Sequence, residues 1–170
     1  DAADLVAVDF TPLPAVTATA AAQSAPAIWE SHPDNLAFEW HSGDMEAVDH
    51  TFAGAAQTVA VDLINNRINC NTMEPRAAIG SYDAASDIYT LHVTSQDPHN
   101  LQALLSQEVF YLPLEKFRVI SPDVGGGFGM KYFLYGEYCL VLWAAKQLGR
   151  PVKWTSDRSE AFVSDTHGRD

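Results

Sequence analysis

Cysteine is nearly missing from this chain. Cys70 and Cys139 are the only two, they lie far apart, and no C-x-x-C pair occurs. That excludes a cysteine-based zinc site and a disulfide-stapled scaffold. Free thiols in a reducing compartment are expected, with a single disulfide as the alternative. Basic residues are scarce as well: 10 Lys and Arg stand against 22 Asp and Glu, for a formal net charge of −12. Such a surface repels phosphate backbones and anionic lipid, so neither nucleic acid nor a membrane surface is an expected partner. All ten bases lie beyond Asn66, which suggests two segments with different neighbours. No run of about 18 apolar residues exists, so no membrane span is expected. An initiator Met and a basic, apolar leader are also missing at the start. A secretory signal is therefore not expected, and the cytoplasm is the expected compartment. The chain opens and closes in mid-pattern, as an excised or processed piece would. Its six histidines are scattered without ligand spacing, which gives no metal site, and no serine or cysteine nucleophile signature occurs.

What is present suits a globular α+β fold. With 47% hydrophobic and 19% charged residues, the 170-residue chain can bury a core of one domain, or of one domain and part of another. Leu5–Phe10 reads as a short strand ended by Pro12 and Pro14. Residues from Ala15 to Trp40 read as connection. Asp44 is placed to cap a short helix over Met45–Ala53, and Val59–Ile64 alternates as a strand would. Ala78–Tyr82 and Ile88–Thr94 flank a hairpin turn. Asp97-Pro98 starts a helix in which Leu101, Leu104, Leu105 and Val109 share one face. Phe117–Ile120 reads as a strand. Tyr135–Leu148 reads as the clearest helix, stopped by Gly149. Pro151–Thr155 suits an edge strand, and Asp157 to Glu160 opens a last short helix.

Three features look like parts of a site. Gly125-Gly126-Gly127-Phe128-Gly129 packs four glycines into five residues. Such a loop permits unusual dihedrals, close approach of a bulky ligand, and consecutive N–H groups that can face an acceptor; a plain tight turn is the bland alternative. It is not a phosphate loop, because Lys131 is followed by Tyr132 where Ser or Thr is needed. Nor is it a dinucleotide fingerprint, because the G-x-G-x-x-G spacing is missing. Gln96, in Thr94-Ser95-Gln96-Asp97-Pro98-His99, falls between a strand and a helix and can both donate and accept; taken alone it is a polar turn residue. His99 beside it suits a capping role. Met73-Glu74-Pro75-Arg76 reads, taken alone, as a local surface ion pair between Glu74 and Arg76. Cys139 falls within an apolar helix and reads as inert core.

Together these features resemble the molybdenum hydroxylase large subunit, the family of xanthine dehydrogenase, aldehyde oxidase and carbon monoxide dehydrogenase. Asn71–Ala78, Thr94–His99 and Gly125–Lys131 occur in that family's order and approximate spacing, as do Arg150–Thr155 and Arg158-Ser159-Glu160. The resemblance implies residues 1–30 to be the end of an α/β-hammerhead domain and a linker. It implies residues 31–170 to be the N-terminal part of the molybdenum-cofactor-binding domain. Gln96 matches a glutamine that hydrogen-bonds an oxo ligand of the molybdenum, and Gly126, Gly127, Phe128 and Gly129 match the loop beside the pterin and the metal. No protein ligand to the metal is implied, and the family's catalytic glutamate matches no position here: Glu74, Glu108 and Glu137 are not it.

Met130-Lys131-Tyr132 is similar to the carbon monoxide dehydrogenase-like branch. Tyr132 stands where the xanthine branch carries a substrate-contacting glutamate, which argues against purine oxidation. The cofactor implied is a molybdenum pterin, with the cytosine dinucleotide as the form common in bacterial members. Partner iron–sulfur and flavin subunits would carry [2Fe–2S] and FAD, and the remainder of the large subunit would complete the site. The expected activity is hydroxylation of an aldehyde or N-heterocycle, or oxidation of carbon monoxide, with water as oxygen source. By itself the chain is expected to be inactive. The alternatives are a non-catalytic scaffold or binding module and, least supported, a nucleotide-binding module.

Overall fold

A computed structural model describes residues 2–168. The chain divides into two compact units, Asp1–Val61 and Asp62–Asp170.

In the first unit no described residue is buried. Short 3-10 turns cover Ala3–Leu5 and Thr19–Ser24. Asn35 organises the connection, its side-chain NH2 donating to the Ala22 carbonyl at 2.7 Å while its Oδ1 accepts from Ile28 N–H at 2.8 Å. Helix α1, Met45–Gly54, is capped by Asp44, whose Oδ1 accepts from Ala47 N–H at 3.0 Å. Two expected strands do not form. Leu5–Phe10 begins in a 3-10 turn and continues as coil, and residues 59–64 are coil. An alternating pattern marks a surface that could be half buried, but a strand needs a partner to take its ladder of hydrogen bonds. Neither segment has one among the described residues, and Val59 and Ile64 are 80% and 89% exposed.

The second unit is built on a mixed four-stranded sheet in the order β3-β2-β1-β4. The hairpin forms as expected: β1, Ala77–Asp83, pairs antiparallel with β2, Ile88–Val93. Tight turn chemistry closes it, with Asp83 accepting from Ala85 N–H and Ser86 Oγ. Helix α2, Pro98–Leu104, then crosses to β3, Phe117–Ile120, which runs parallel to β2. At Leu105 the helix widens into a π-type turn to Phe110. The 3.6-residue face ends there, so Leu101 and Leu105 are fully buried while Val109 turns outward. Helix α3, Gly136–Leu148, lays Tyr138, Val141, Leu142 and Ala145 on the sheet, at the i, i+3, i+4, i+7 spacing of one face. It lies so close to β1 that a Cβ on Gly80 would stand 2.5 Å from the Val141 carbonyl carbon. Strand β4, Val152–Thr155, takes the edge beside β1, and α4, Arg158–Ser164, is capped by Asp157.

The core joins Ala78, Tyr89, Leu91, Val93, Leu101, Leu105, Phe117, Tyr138, Val141 and Leu142. Fully burying each large apolar side chain contributes about 1.5–3 kcal/mol. Arg76 is also fully buried. Its guanidinium lies 3.6 Å from the Tyr135 ring centroid and 5.1 Å from that of Trp154. Nε donates to Asp165 at 2.6 Å, one terminal nitrogen to Glu137 at 3.0 Å and the other to Ser164 Oγ at 3.3 Å. The expected Glu74–Arg76 pair is therefore replaced. Arg76 immediately precedes β1 and turns inward, where two carboxylates from other elements offset the cost of burying its charge. Among the described residues no helix is long and apolar enough to cross a membrane.

Candidate functional site

The loop after β2 and the glycine loop after β3 meet because their strands are parallel neighbours. Ser95 and Ser121 fasten the two exits: Ser95 N–H donates to Ser121 Oγ at 3.2 Å, and Ser121 Oγ donates to the Ser95 carbonyl at 2.8 Å. Gln96 follows directly. Its backbone N–H donates to the Lys131 carbonyl at 3.1 Å. Its side-chain Oε1 accepts from Gly129 N–H at 3.0 Å and from Lys131 N–H at 3.2 Å. Two N–H donors on one amide oxygen fix which way the amide points. Nε2 is left as a donor with no partner among the described residues, on an exposed residue.

Gly127 permits this contact. A Cβ there would stand 2.4 Å from Gln96 Cδ and 2.5 Å from Oε1, so only a residue without one lets the glutamine lie against the loop. Gly126 and Gly129 have φ of 94° and 87°, and Phe128 between them has φ of 52°. A left-handed conformation is uncommon for a bulky residue and costs roughly 1–2 kcal/mol, and Phe128 is 76% exposed, so burial does not offset the strain. Such outliers concentrate at ligand sites. The Gly127 and Phe128 N–H groups donate to no acceptor among the described residues, whereas Gly126 N–H bonds the Val124 carbonyl and Met130 N–H the Gly127 carbonyl.

The loop is tied down from the opposite side. Gly125 N–H donates to Glu74 Oε2 at 2.7 Å, and Glu74 N–H donates to the Gly125 carbonyl at 3.2 Å. The fully buried Lys131 ammonium donates to the Glu74 carbonyl at 2.8 Å and to Glu74 Oε2 at 3.0 Å. Burial pushes the Glu74 carboxyl up, but the Gly125 N–H and the Lys131 ammonium outweigh it and hold the group below the usual carboxylate value. Thr72 donates its hydroxyl to the Glu74 carbonyl at 2.6 Å. Arg158 clasps the Asn71–Met73 turn through Asn71 Oδ1 and the Thr72 and Met73 carbonyls, at 2.8, 2.7 and 2.9 Å. Cys70 Sγ lies 3.6 Å from the Phe128 carbonyl oxygen.

All five residues expected at the site, Gln96, Gly126, Gly127, Phe128 and Gly129, thus lie in one place. Sequence reasoning missed the support beneath them: Thr72, Glu74, Lys131 and Arg158. Neighbouring motifs had flagged Glu74, Lys131 and Arg158, but their pairing spans more than fifty residues and leaves no local pattern. His99 does not cap α2; Asp97 does, accepting from Asn100 N–H at 3.0 Å. Cys70 and Cys139 are free thiols, and burial raises the Cys139 pKa. No group of three potential metal ligands occurs among the described residues. The arrangement therefore offers neutral donors and an open glycine surface. That donor set fits a bulky cofactor that brings its own metal and its own acceptor atoms.

A family model described as the molybdopterin cofactor-binding domain matches residues 28–170. The chain belongs to that family. Within this molybdopterin-binding family it is similar to the carbon monoxide dehydrogenase large chain of Hydrogenophaga pseudoflava, at 37% identity over 136 residues, covering 80% of this chain and 17% of the relative. It is similar to the nicotine 6-hydroxylase large subunit of Paenarthrobacter nicotinovorans, at 33% identity over 175 residues, covering 100% of this chain and 21% of the relative. Among solved structures, reconstituted CO dehydrogenase from Oligotropha carboxidovorans matches with a TM-score of 0.87 and 34% identity, over 99% of this chain and 23% of that one. The expected kinship with molybdenum hydroxylase large subunits of the carbon monoxide dehydrogenase-like kind is borne out. This chain spans about a fifth of the length of the curated relatives it matches.

Proposed function

We propose that this chain is the segment of a molybdenum-dependent oxidoreductase subunit that holds one side of the molybdenum–pterin cofactor. The observation that carries the proposal is the fixed amide of Gln96. Its oxygen is occupied by two loop N–H groups and its Nε2 is left to donate outward. In this reading Gln96 Nε2 and the Gly127 and Phe128 N–H groups donate to acceptor atoms of the cofactor, while Gly126 and Gly129 leave room for it. Neutral, pre-aimed donors suit that role, because they hold an acceptor without displacing it and need no reorganisation. When bound, the cofactor would supply transfer of oxygen from water to substrate, with electrons leaving through partner centres.

The division into residues 1–30, as the end of a hammerhead domain and linker, and residues 31–170, as the first part of the cofactor domain, belongs to the same proposal. The family match beginning at residue 28 supports it. The substrate class is an aldehyde, an N-heterocycle or carbon monoxide. Similarity to relatives named for carbon monoxide and for nicotine supports that range. A cytosine dinucleotide form of the pterin, [2Fe–2S] and FAD on partner subunits, completion of the site by the remainder of the subunit, and a cytoplasmic setting complete the reading.

Gln96→Ala in the full-length protein tests it. Removing an oriented donor at a reacting centre lowers turnover by about 10²–10³, with molybdenum content and activity measured on the same preparation. Wild-type turnover in that variant would refute the role of Gln96.

A further inference from the structure

The glycine loop is held by a charged pair that the proposed chemistry does not use. Both ends of the loop converge on one residue. Gly125, at its start, exchanges two hydrogen bonds with Glu74, and Lys131, at its end, sends its ammonium to the carbonyl and carboxylate of the same Glu74. Lys131 is also the junction to Gln96: its N–H donates to Gln96 Oε1, and its carbonyl accepts from Gln96 N–H and from Ser95 Oγ at 3.3 Å. Glu74 is fixed in turn, because Thr72 bonds its carbonyl and Arg158 clasps the turn that precedes it.

Stability alone accounts poorly for this lysine. A fully buried ammonium carries a large desolvation cost, and a buried ion pair often contributes no more than an apolar pair of the same size. What the pair does give is a fixed distance between the loop's two ends, and therefore a fixed direction for the N–H groups between them. We propose that Glu74 and Lys131 are positioning residues: their ion pair clasps the ends of the Gly125–Lys131 loop and, through the Lys131 backbone, sets the Gln96 amide. The role in turnover rests on the cofactor-binding reading; the clasp itself does not. Each acts through the loop.

The test uses the full-length protein with the double change Glu74→Gln and Lys131→Met, which removes both charges at nearly constant volume and leaves no buried charge unpaired. The single change Glu74→Gln, which keeps acceptors for Gly125 N–H and for Lys131, is made alongside it. Folding is checked by circular dichroism, loop opening by hydrogen exchange across residues 125–131, and cofactor loading by molybdenum content. In the folded double variant the loop amides should exchange about tenfold faster. The kcat per bound molybdenum should fall by about tenfold or more with KM nearly unchanged, and Glu74→Gln, which leaves the buried ammonium without its counter-charge, should be affected at least as much. Unchanged loop exchange in a folded variant overturns the clasp. Faster exchange with unchanged kcat overturns the positioning role. Wild-type protein without molybdenum would sink the cofactor reading instead, while the exchange comparison still decides the clasp.

Discussion

Gly127→Ala is the substitution whose outcome the geometry specifies most fully. Gly127 is not in the left-handed region, so an alanine there meets no backbone penalty. The added Cβ would instead stand 2.4–2.6 Å from three atoms of the Gln96 side chain. Gln96 must move, and it gives up its bonds to Gly129 N–H and Lys131 N–H. Each such bond contributes about 1 kcal/mol net, so the loop loses about 2 kcal/mol. The Gly129 and Lys131 amides should then exchange about 30-fold faster, read by hydrogen-exchange mass spectrometry on the full-length protein. A double-mutant cycle isolates the cause. In a Gln96→Ala background the obstacle and both bonds are already gone, so adding Gly127→Ala should cost less than about 0.5 kcal/mol. If Gly127→Ala costs the same in both backgrounds, the glycine is required for another reason and the packing argument fails.

Two further outcomes follow from the charges. Arg76→Met strands the Asp165 and Glu137 carboxylates, one of them buried, and should destabilise the folded unit by about 3–5 kcal/mol, seen as a large fall in Tm; a fall worth less than about 1 kcal/mol would contradict the anchoring role. The Glu74 carboxyl is held below its ordinary value of 4.5, so its contribution is fully present above about 4.5 and lost as pH falls through the lower folded value. Loop opening, followed by limited proteolysis, should therefore rise on acidification below pH 4.5 in wild type and lose that component in Glu74→Gln; identical profiles would refute the linkage.

Local chemistry was legible in the sequence wherever one segment decides its own structure. Asp44, Asp97 and Asp157 cap the helices they precede, the Asp83–Ser86 turn closes its hairpin, and Gly149 ends α3 in a left-handed conformation. The failures share a cause. Leu5–Phe10 and Val59–Ile64 alternate like strands, but pairing depends on a partner that no local pattern reveals. Val109 matched the helical face of Leu101 and Leu105 until the π-type turn shifted the period. The site divides the same way. The glycine cluster and Gln96 stand out as residue types, and the resemblance brought them together. The ion pairs beneath and behind them, Lys131 with Glu74 and Arg76 with Asp165 and Glu137, could not be read from spacing. Arg76 lay two residues from Glu74 and invited a pairing that the inward turn of β1 prevents.

Molybdenum content of the native complex purified through this chain, measured by elemental mass spectrometry beside pterin release, decides whether the glycine loop and Gln96 hold a molybdenum–pterin cofactor. Near-stoichiometric molybdenum and pterin are expected in wild type, with a marked loss of both when Gly127→Ala displaces the Gln96 amide. A full-length native complex with neither metal nor pterin would contradict the cofactor reading and leave a binding module that keeps the cradle without the cofactor.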